Sequence, residues 1–506
     1  MKKLNKVVFF PPFIVLMAFI ALSIASEDVF LATITAINRW ILENVFWFVS
    51  ALALSLLGLV IAAILSKFGD VRLGGKDAKP ELSTFSWFAI SLATTMAAGL
   101  LLWGPAEPIA HFIYPNTAIT GIEPLSPQAM NFAMEAIFLH WTFVSYTIYT
   151  IPAIVFAFMF YNAKRPFSLT SAVAPILGKY SEQNNVPKIV DIIVLFSITA
   201  GMSAGSVQAF LNISGGIQML TGIQSAPALW TIVAVTLGTA IALTIISGLQ
   251  KAMAQAARLN IYLFVGFLAF LFLFSNSSFM LNLGTEAMGG YINTIFARTL
   301  STGATAETSW PHDWTAFHFF AWMAWAPTSG AFMGRIAYGR KIKHVLSLYV
   351  LLNASLSALW FVIVSGAALW TQLSGAADLV AAYTRGVEHV AYEMLSTFPL
   401  GGVVSVIFVG LICLSFVTAA NGNAMTMASL SSHGISPENP EPPITLKLIW
   451  SFGVMAFALI MLTAIGIDGA RVLANFGGIF GVIIVAGAAA SLVVLMLNHE
   501  KYDKTI

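Results

Sequence analysis

The feature that most constrains this chain is a succession of about twelve apolar runs, most of them roughly long enough to cross a bilayer as a helix. They fall near residues 8–25, 44–66, 86–112, 130–161, 189–214, 226–248, 257–275, 314–336, 345–371, 400–420, 447–467 and 472–497. Charged residues make up only 9% of the 506 positions and hydrophobic ones 58%. An ordinary soluble domain carries about 25% charged residues, so this chain has too few to coat a water-facing surface. A soluble enzyme, a disordered chain and a nucleic-acid binder are set aside as classes. The net charge of +2 implies no strong attraction to polyanions. The single cysteine, Cys413, rules out an internal disulfide and a cysteine-based metal cluster. The expected fold class is an all-α integral membrane protein with twelve transmembrane helices.

Charge placement supports that count. With the loops alternating from a cytoplasmic N-terminus, one side receives 20 of the 24 Lys and Arg residues and the other only Arg39, Arg298, Arg385 and Arg471. The positive-inside rule then places both termini in the cytoplasm of a multi-pass inner-membrane protein. The first run carries Pro11 and Pro12 and feeds a second span, so it reads as a retained helix and not a cleaved signal. The longest polar stretches are 276–313, 372–399 and 421–446. The second reads as an amphipathic helix outside the membrane, with Leu379, Val380, Tyr383, Val387 and Val390 on its apolar side. Residues 433–443 read as a proline-rich cytoplasmic loop.

Polar groups inside a membrane are expensive and need a reason. Glu107 lies in WGPAEP at the end of the third span, and Glu135 in AMEAIFLHW at the start of the fourth. Two readings stand: structural acids capped by backbone or paired with His111 or His140, or a proton or cation relay. Position near the span ends favours the first. His140 has no second histidine at helical spacing, so a metal site is not expected. No Ser/His/Asp arrangement, phosphate loop or metalloprotease signature appears, so the chain reads as no enzyme and needs no cofactor. No repeated pore-lining element argues for a channel.

Small and helix-breaking residues cluster at 91–108 and at 325–334, where Pro327 removes a backbone donor. Interrupted helices in corresponding parts of two halves point to a transport site, and spans three and eight are five apart. Close packing by small residues is the other reading. Aromatic residues add to the transport reading. On an ideal helix Tyr149 and Tyr146 lie about 80° and 140° from Trp141, and Trp322, Trp325 and Ser329 fall within about 60° of one another. Rings offered to a common interior suit a quaternary ammonium group, which cannot donate hydrogen bonds. An ordinary aromatic core is the alternative.

WTAFHFFAWMAWAPTSGAFMGRIAYGRKI at 314–342 resembles the signature of the betaine/carnitine/choline transporter family, with Arg335, Ile336, Gly339 and Arg340 as its cytoplasmic turn. WGPAEP, the His140–Trp141 pair, 247–260 and FVTAANG at 416–422 resemble family segments in the same order. The resemblance implies a LeuT-like fold with two leading helices (1–85), a first inverted five-helix repeat (86–275, spans 3–7), an extracytoplasmic connection (276–313), a second repeat (314–498, spans 8–12) and a short tail (499–506). That tail, with Lys501, Asp503 and Lys504, is not the long charged tail of osmosensing members. The resemblance also implies a homotrimer in membrane lipid that carries a small zwitterionic or cationic solute by alternating access.

Carried over by residue, Trp141, Tyr149, Trp322 and Trp325 match positions of an aromatic box. Tyr146 stands where a tryptophan is usual, and Phe319, Phe320, Ala321 and Trp322 stand where W-A-W-W is typical. Ser329 is polar where bulky apolar residues are common, as is Thr328. Thr95, Met96, Ala97 and Gly99 fall on the stretch expected to receive a carboxylate. A family-type sodium site would use carbonyls of Ala93, Met96 and Phe416 with Thr418 and a serine, but Ala419 stands at the serine position. Thr328 is a further candidate for an ion. The coupling ion, Na+ or H+, stays open. A non-quaternary solute such as taurine, an amino acid or a sulfonium compound is the alternative cargo, since Tyr146, Thr328 and Ser329 add hydroxyls.

Overall fold

A computed structural model describes residues 4–95, 98–183, 185–247, 250–435 and 441–505. Helices α1 (Lys6–Ala25) and α2 (Glu27–Leu65) lead. Next are α3 (Thr84–Thr95) and α4 (Ala98–Ile113), and a fourth span built from two pieces, α5 (Pro127–Trp141) with α6 (Phe143–Tyr161). Then come α7 (Val186–Thr221), α8 (Pro227–Ser247), α9 (Gln250–Phe274) and α10 (Ser277–Thr299). A π-helical turn, Pro311–Ala316, runs into α11 (Phe317–Arg335). Helix α12 (Ile342–Leu373) follows. The chain ends with the short α13 (Leu379–Arg385) and α14 (Val387–Ser396), then α15 (Gly401–Leu430), α16 (Ile444–Ile465) and α17 (Asp468–Tyr502). Among the described residues there is no strand, only the isolated bridges Leu4–Ser432 and Arg72–Lys341.

The all-helical membrane architecture read from the sequence is therefore what forms, and each expected run lies on a helix or a broken pair. Among the described residues, nine helical segments are long and apolar enough to cross a membrane, or ten if the pair bent by 105° between α9 and α10 counts as one. The run at span eight falls short because α11 carries His318, Thr328, Ser329 and Arg335. Several helices outrun their apolar stretch. At 39 residues, α2 would span about 58 Å at 1.5 Å per residue, well beyond a hydrocarbon core of about 30 Å. The polar stretch 276–313 contains a 23-residue helix, α10, capped by Asn276 through the Phe279 amide at 3.0 Å. The amphipathic stretch after α12 is two helices, since Gly386 (φ 159°, ψ 142°) interrupts it.

One expectation is overturned. The eighth span is not interrupted at 325–334: α11 runs unbroken through Pro327. Pro327 cannot donate to the Met323 carbonyl, but that carbonyl abuts Gly481 of α17, where any Cβ would collide with it. A Cβ at Gly478 would lie 2.5 Å from the Phe320 oxygen, and one at Gly334 2.5 Å from the Ala153 oxygen of α6. Glycines thus bring α6, α11 and α17 backbone against backbone. The Ser197 hydroxyl of α7 lies 3.0 Å from the Ala324 oxygen and 2.9 Å from the Gly477 oxygen, tying a fourth helix in.

The break falls instead in the fourth span. Thr142 (φ −123°, ψ −130°) separates α5 from α6. Its own hydroxyl donates to the Phe138 carbonyl. The His140 carbonyl accepts from Ser145 Oγ at 2.7 Å and from Trp322 Nε1 at 3.0 Å, and the Trp141 carbonyl accepts from Ser357 Oγ at 2.9 Å. In a membrane interior such freed groups must find protein partners, and these donors come from α6, α11 and α12.

At one end of the bundle the loops are sewn together. Gly339 N donates to Leu73 O at 3.0 Å, Ile342 N to Val71 O at 2.9 Å, and Asn162 Nδ2 to Asp503 Oδ2 at 3.0 Å. Asp70 pairs with Lys343 at 2.7 Å, which holds its carboxyl below the usual range.

Gly481→Ala should drive a methyl into the Met323 carbonyl and lower stability by about 1–3 kcal/mol. Gly410→Ala, at a position with nothing within 4 Å of its Cβ, should leave stability unchanged or raised. Thermal melting of the detergent-solubilised variants reads the difference.

Candidate solute site and its buried acid

The break at Thr142 lies between Trp141 and Tyr146, so their relation is not that of an ideal helix. They meet nonetheless at one ring. Trp322 of α11 lies 4.6 Å from Tyr149, 5.2 Å from Tyr146 and 6.4 Å from Trp141, centroid to centroid. Trp322, Tyr146 and Tyr149 are buried, and Trp141 is half-buried. Rings in mutual contact at 4.6 Å leave no space for a cation between them. Trp322 and the two tyrosines form a packed wall, and Ser329, also buried, faces the Tyr149 hydroxyl within that wall.

Trp325 stands apart from this wall. A Cβ on Gly201 of α7 would meet its indole at 3.5 Å, and one on Gly205 at 3.9 Å. Farther along α7, Gln208 approaches Gly99: a Cβ there would lie 2.6 Å from Gln208 Oε1 and 3.8 Å from Trp141 Cη2. On α11, Ala321, Trp325 and Thr328 are half-buried while their helical neighbours are buried. Their i, i+4, i+7 spacing makes them one stripe. The half-buried residues here are Ala321, Trp325 and Thr328 of α11, Gly205 of α7 and Trp141 of α5, with the buried Gln208 of α7 and Gly99 of α4 beside them. The Thr328 hydroxyl donates to the Trp325 carbonyl at 3.2 Å.

Of the remaining expected residues, Ala93 and Thr95 belong to the last turns of α3, and Met96 and Ala97 lie outside the described residues. Phe416 is buried in α15, its ring 6.1 Å from Phe210 of α7. Thr418 is half-buried and Ala419 exposed, and α15 runs unbroken through all three.

The two intramembrane acids separate. Glu135 is a structural acid. Its carboxylate pairs with Arg298 of α10 at 2.5 Å and accepts from Asn131 Nδ2 at 2.8 Å. Arg298 in turn lies over the Phe132 ring at 4.4 Å. Glu107 is fully buried and collects four nitrogens. His140 Nδ1 at 2.6 Å and His111 Nε2 at 3.3 Å approach Oε1, while Trp141 Nε1 at 2.7 Å and His318 Nε2 at 3.2 Å approach Oε2. The second histidine absent from the fourth span comes from other helices. Glu107, His140 and His318 place one oxygen or nitrogen each within 4.8 Å of the others. The His140 and His318 rings, however, stack at 4.4 Å and 16°. Nearly parallel stacked rings hold their lone pairs in two separate planes that share no point for one ion, a poor set for a tetrahedral site. The arrangement is that of a hydrogen-bonded carboxylate.

Three features were missed in the sequence although a signal existed. Trp314, His318 and Trp322 recur every fourth residue, one helical face. Gly201 and Gly205 form a small-xxx-small pair. Gln208 follows on the same face of α7.

The betaine/carnitine/choline family transporter description matches residues 7–501. Relatives include a protein named as a probable glycine betaine transporter of Desulfitobacterium hafniense, 31% identical over 79% of each chain. Another is an ectoine/hydroxyectoine transporter of Virgibacillus pantothenticus, 24% identical over 90% of this chain and 89% of that one. Among solved structures, a manganese transporter of Eremococcus coleocola superimposes over 84% of this chain and 83% of that one, at 13% identity and a TM-score of 0.43. The chain belongs to the betaine/carnitine/choline family of transporters.

Proposed function

We propose that this chain carries a quaternary ammonium compound or a closely related zwitterion across a bacterial inner membrane, both termini cytoplasmic, as a secondary transporter working by alternating access. The observation that carries the reading is the accessible aromatic stripe. Trp325 and Trp141 are half-buried indoles, the first packed on Gly201 and Gly205 and the second beside Gly99. A trimethylammonium head is attracted to such ring faces, by about 2 kcal/mol where water is excluded. Trp322, held by the His140 carbonyl, backs the stripe and fixes Trp141 beside it. Gly99 of α4 lies beside the far edge of the Trp141 ring. Gln208 beside it offers an amide.

The non-quaternary alternative rested on hydroxyls in the box. Thr328 already donates to a backbone carbonyl and Ser329 is buried against Tyr149, which supports the quaternary reading over taurine or an amino acid. The family resemblance also supports a homotrimer within lipid. A sodium contribution from Ala93, Met96, Phe416 and Thr418 remains a proposal of the same resemblance.

Tryptophan fluorescence of the purified protein, titrated with glycine betaine, carnitine, choline and taurine with and without sodium, tests the assignment. Saturable quenching by the trimethylammonium compounds is expected. A response to taurine alone would overturn the substrate class. Trp325→Ala should weaken binding about tenfold or more, given the size of one ring–cation contact, and Trp325→Phe less. Unchanged affinity in both would remove the stripe as the site.

A further inference from the structure

The solute stripe leaves the Glu107 cluster unexplained. A carboxylate with three imidazoles and an indole is more elaborate than anchoring one helix to another requires, and all of its polar residues but Trp141 are almost completely buried: Glu107, His111 and His140 are 0% exposed, and His318 is 1% exposed.

Charge accounting gives the cluster a definite need. With Glu107 ionised and the three imidazoles neutral, it carries one negative charge out of reach of water. Such a charge is costly unless compensated. The nearest cations are committed elsewhere. Arg298 pairs with Glu135 at 2.5 Å, and Arg471 of α17 pairs with Asp468 at 2.9 Å. Arg471 also lies over the Trp314 ring at 4.6 Å, and that ring packs on His111 at 4.4 Å. Tyr383 of α13 stands beside Arg471. Thr315, at 3.3 Å from His140 Nε2, is a neutral partner. From α12 the cluster meets Phe361, which packs on Trp141 at 5.4 Å. Among the described residues neither arginine makes an ion pair with Glu107, and one proton shared among Glu107 and its imidazoles neutralises the group from within.

The same atoms reach the solute stripe. The Trp141 indole donates its N–H to Glu107 and turns its far edge toward Gly99. His318 meets Trp141 edge-on at 4.9 Å. The His140 carbonyl holds Trp322. A charge change at Glu107 thus acts on two tryptophans of the site without any intervening element.

We propose that Glu107, with His111, His140 and His318, forms a proton-binding site whose occupancy is linked to solute binding at Trp141. Its linkage arm rests on the solute reading above, and its proton arm does not. The sign follows from electrostatics. A cationic head on the Trp141 face favours the unprotonated, negative cluster, so choline binding releases a proton and choline affinity falls as pH falls.

The proton arm is read without solute. Tryptophan fluorescence and infrared carboxyl and imidazole bands of the detergent-solubilised full chain are followed from about pH 5 to pH 9, the range in which histidine titrates. Wild type should show a titration that disappears in Glu107→Gln, which keeps an acceptor for the Trp141 N–H. His318→Phe, which keeps the ring stack and removes a nitrogen, should shift that titration and serves as the check if Glu107→Gln fails to fold. A wild-type chain with no such titration, or a titration unchanged in both variants, overturns the proposal. The linkage arm uses choline in weakly buffered solution with a pH indicator. Proton release by wild type and none by Glu107→Gln is expected, and choline binding with no proton exchanged overturns the linkage. A chain that titrates yet binds none of the quaternary compounds would sink the solute reading alone. Stoichiometric zinc or manganese, added as the chloride and bound by wild type and not by Glu107→Gln, would overturn the proton assignment in favour of a metal.

Discussion

Inside a bilayer a peptide group that leaves its helix must find another partner, and at Thr142 this requirement organises the site. Breaking the fourth span frees the carbonyls of His140 and Trp141. Each is taken by a side chain from elsewhere, Ser145, Trp322 and Ser357. The Trp322 ring is thereby fixed by a backbone bond, and the two tyrosines of α6 then pack on it. The aromatic wall is a consequence of how the break is satisfied. Had the span continued as one helix, His140 and Trp141 would have kept their carbonyls within it, and Trp322 would have lost its anchor.

Trp141 is the residue the two polar problems share. Its ring lies at the edge of the solute stripe, close to Gly99, while its N–H is committed to Glu107. Tryptophan suits this position because it joins a large apolar face to a single donor at one edge. The acid below is surrounded by nitrogens from α4, α5 and α11, so those helices are joined through one carboxylate as well as through apolar contact.

Much of this was legible in the sequence. Apolar runs, the lysine and arginine bias and the tryptophan-rich eighth span gave the class and order of the helices, because bilayer thickness and backbone satisfaction leave few choices. Trp141, Tyr146, Tyr149 and Trp322 were readable as a ring cluster. What was not readable depended on partners distant in sequence. Whether Pro327 breaks α11 depends on Gly481, more than 150 positions later. The pairing of Glu107 with His111 and His140 was readable from the third and fourth spans, but the approach of His318 from α11 was not. Glu135 looked equivalent to Glu107 until α10, read only as a connection, supplied Arg298. Trp322 and Trp325 looked like one face because three residues separate them, yet one packs on α6 and the other on α7.

The glycine contacts that clamp α11 between α6 and α17 carry a consequence for how such a carrier can diversify. At Gly330, Gly334, Gly478 and Gly481 there is no room for even one added carbon, so those sides of the seam are closed to sequence change. Ala321, Trp325 and Thr328 lie on the half-buried side of the same helix. On the proposed reading of the site, selectivity is left to change along this one strip while the clamped seam stays fixed, with Trp325 itself held by its packing on Gly201 of α7.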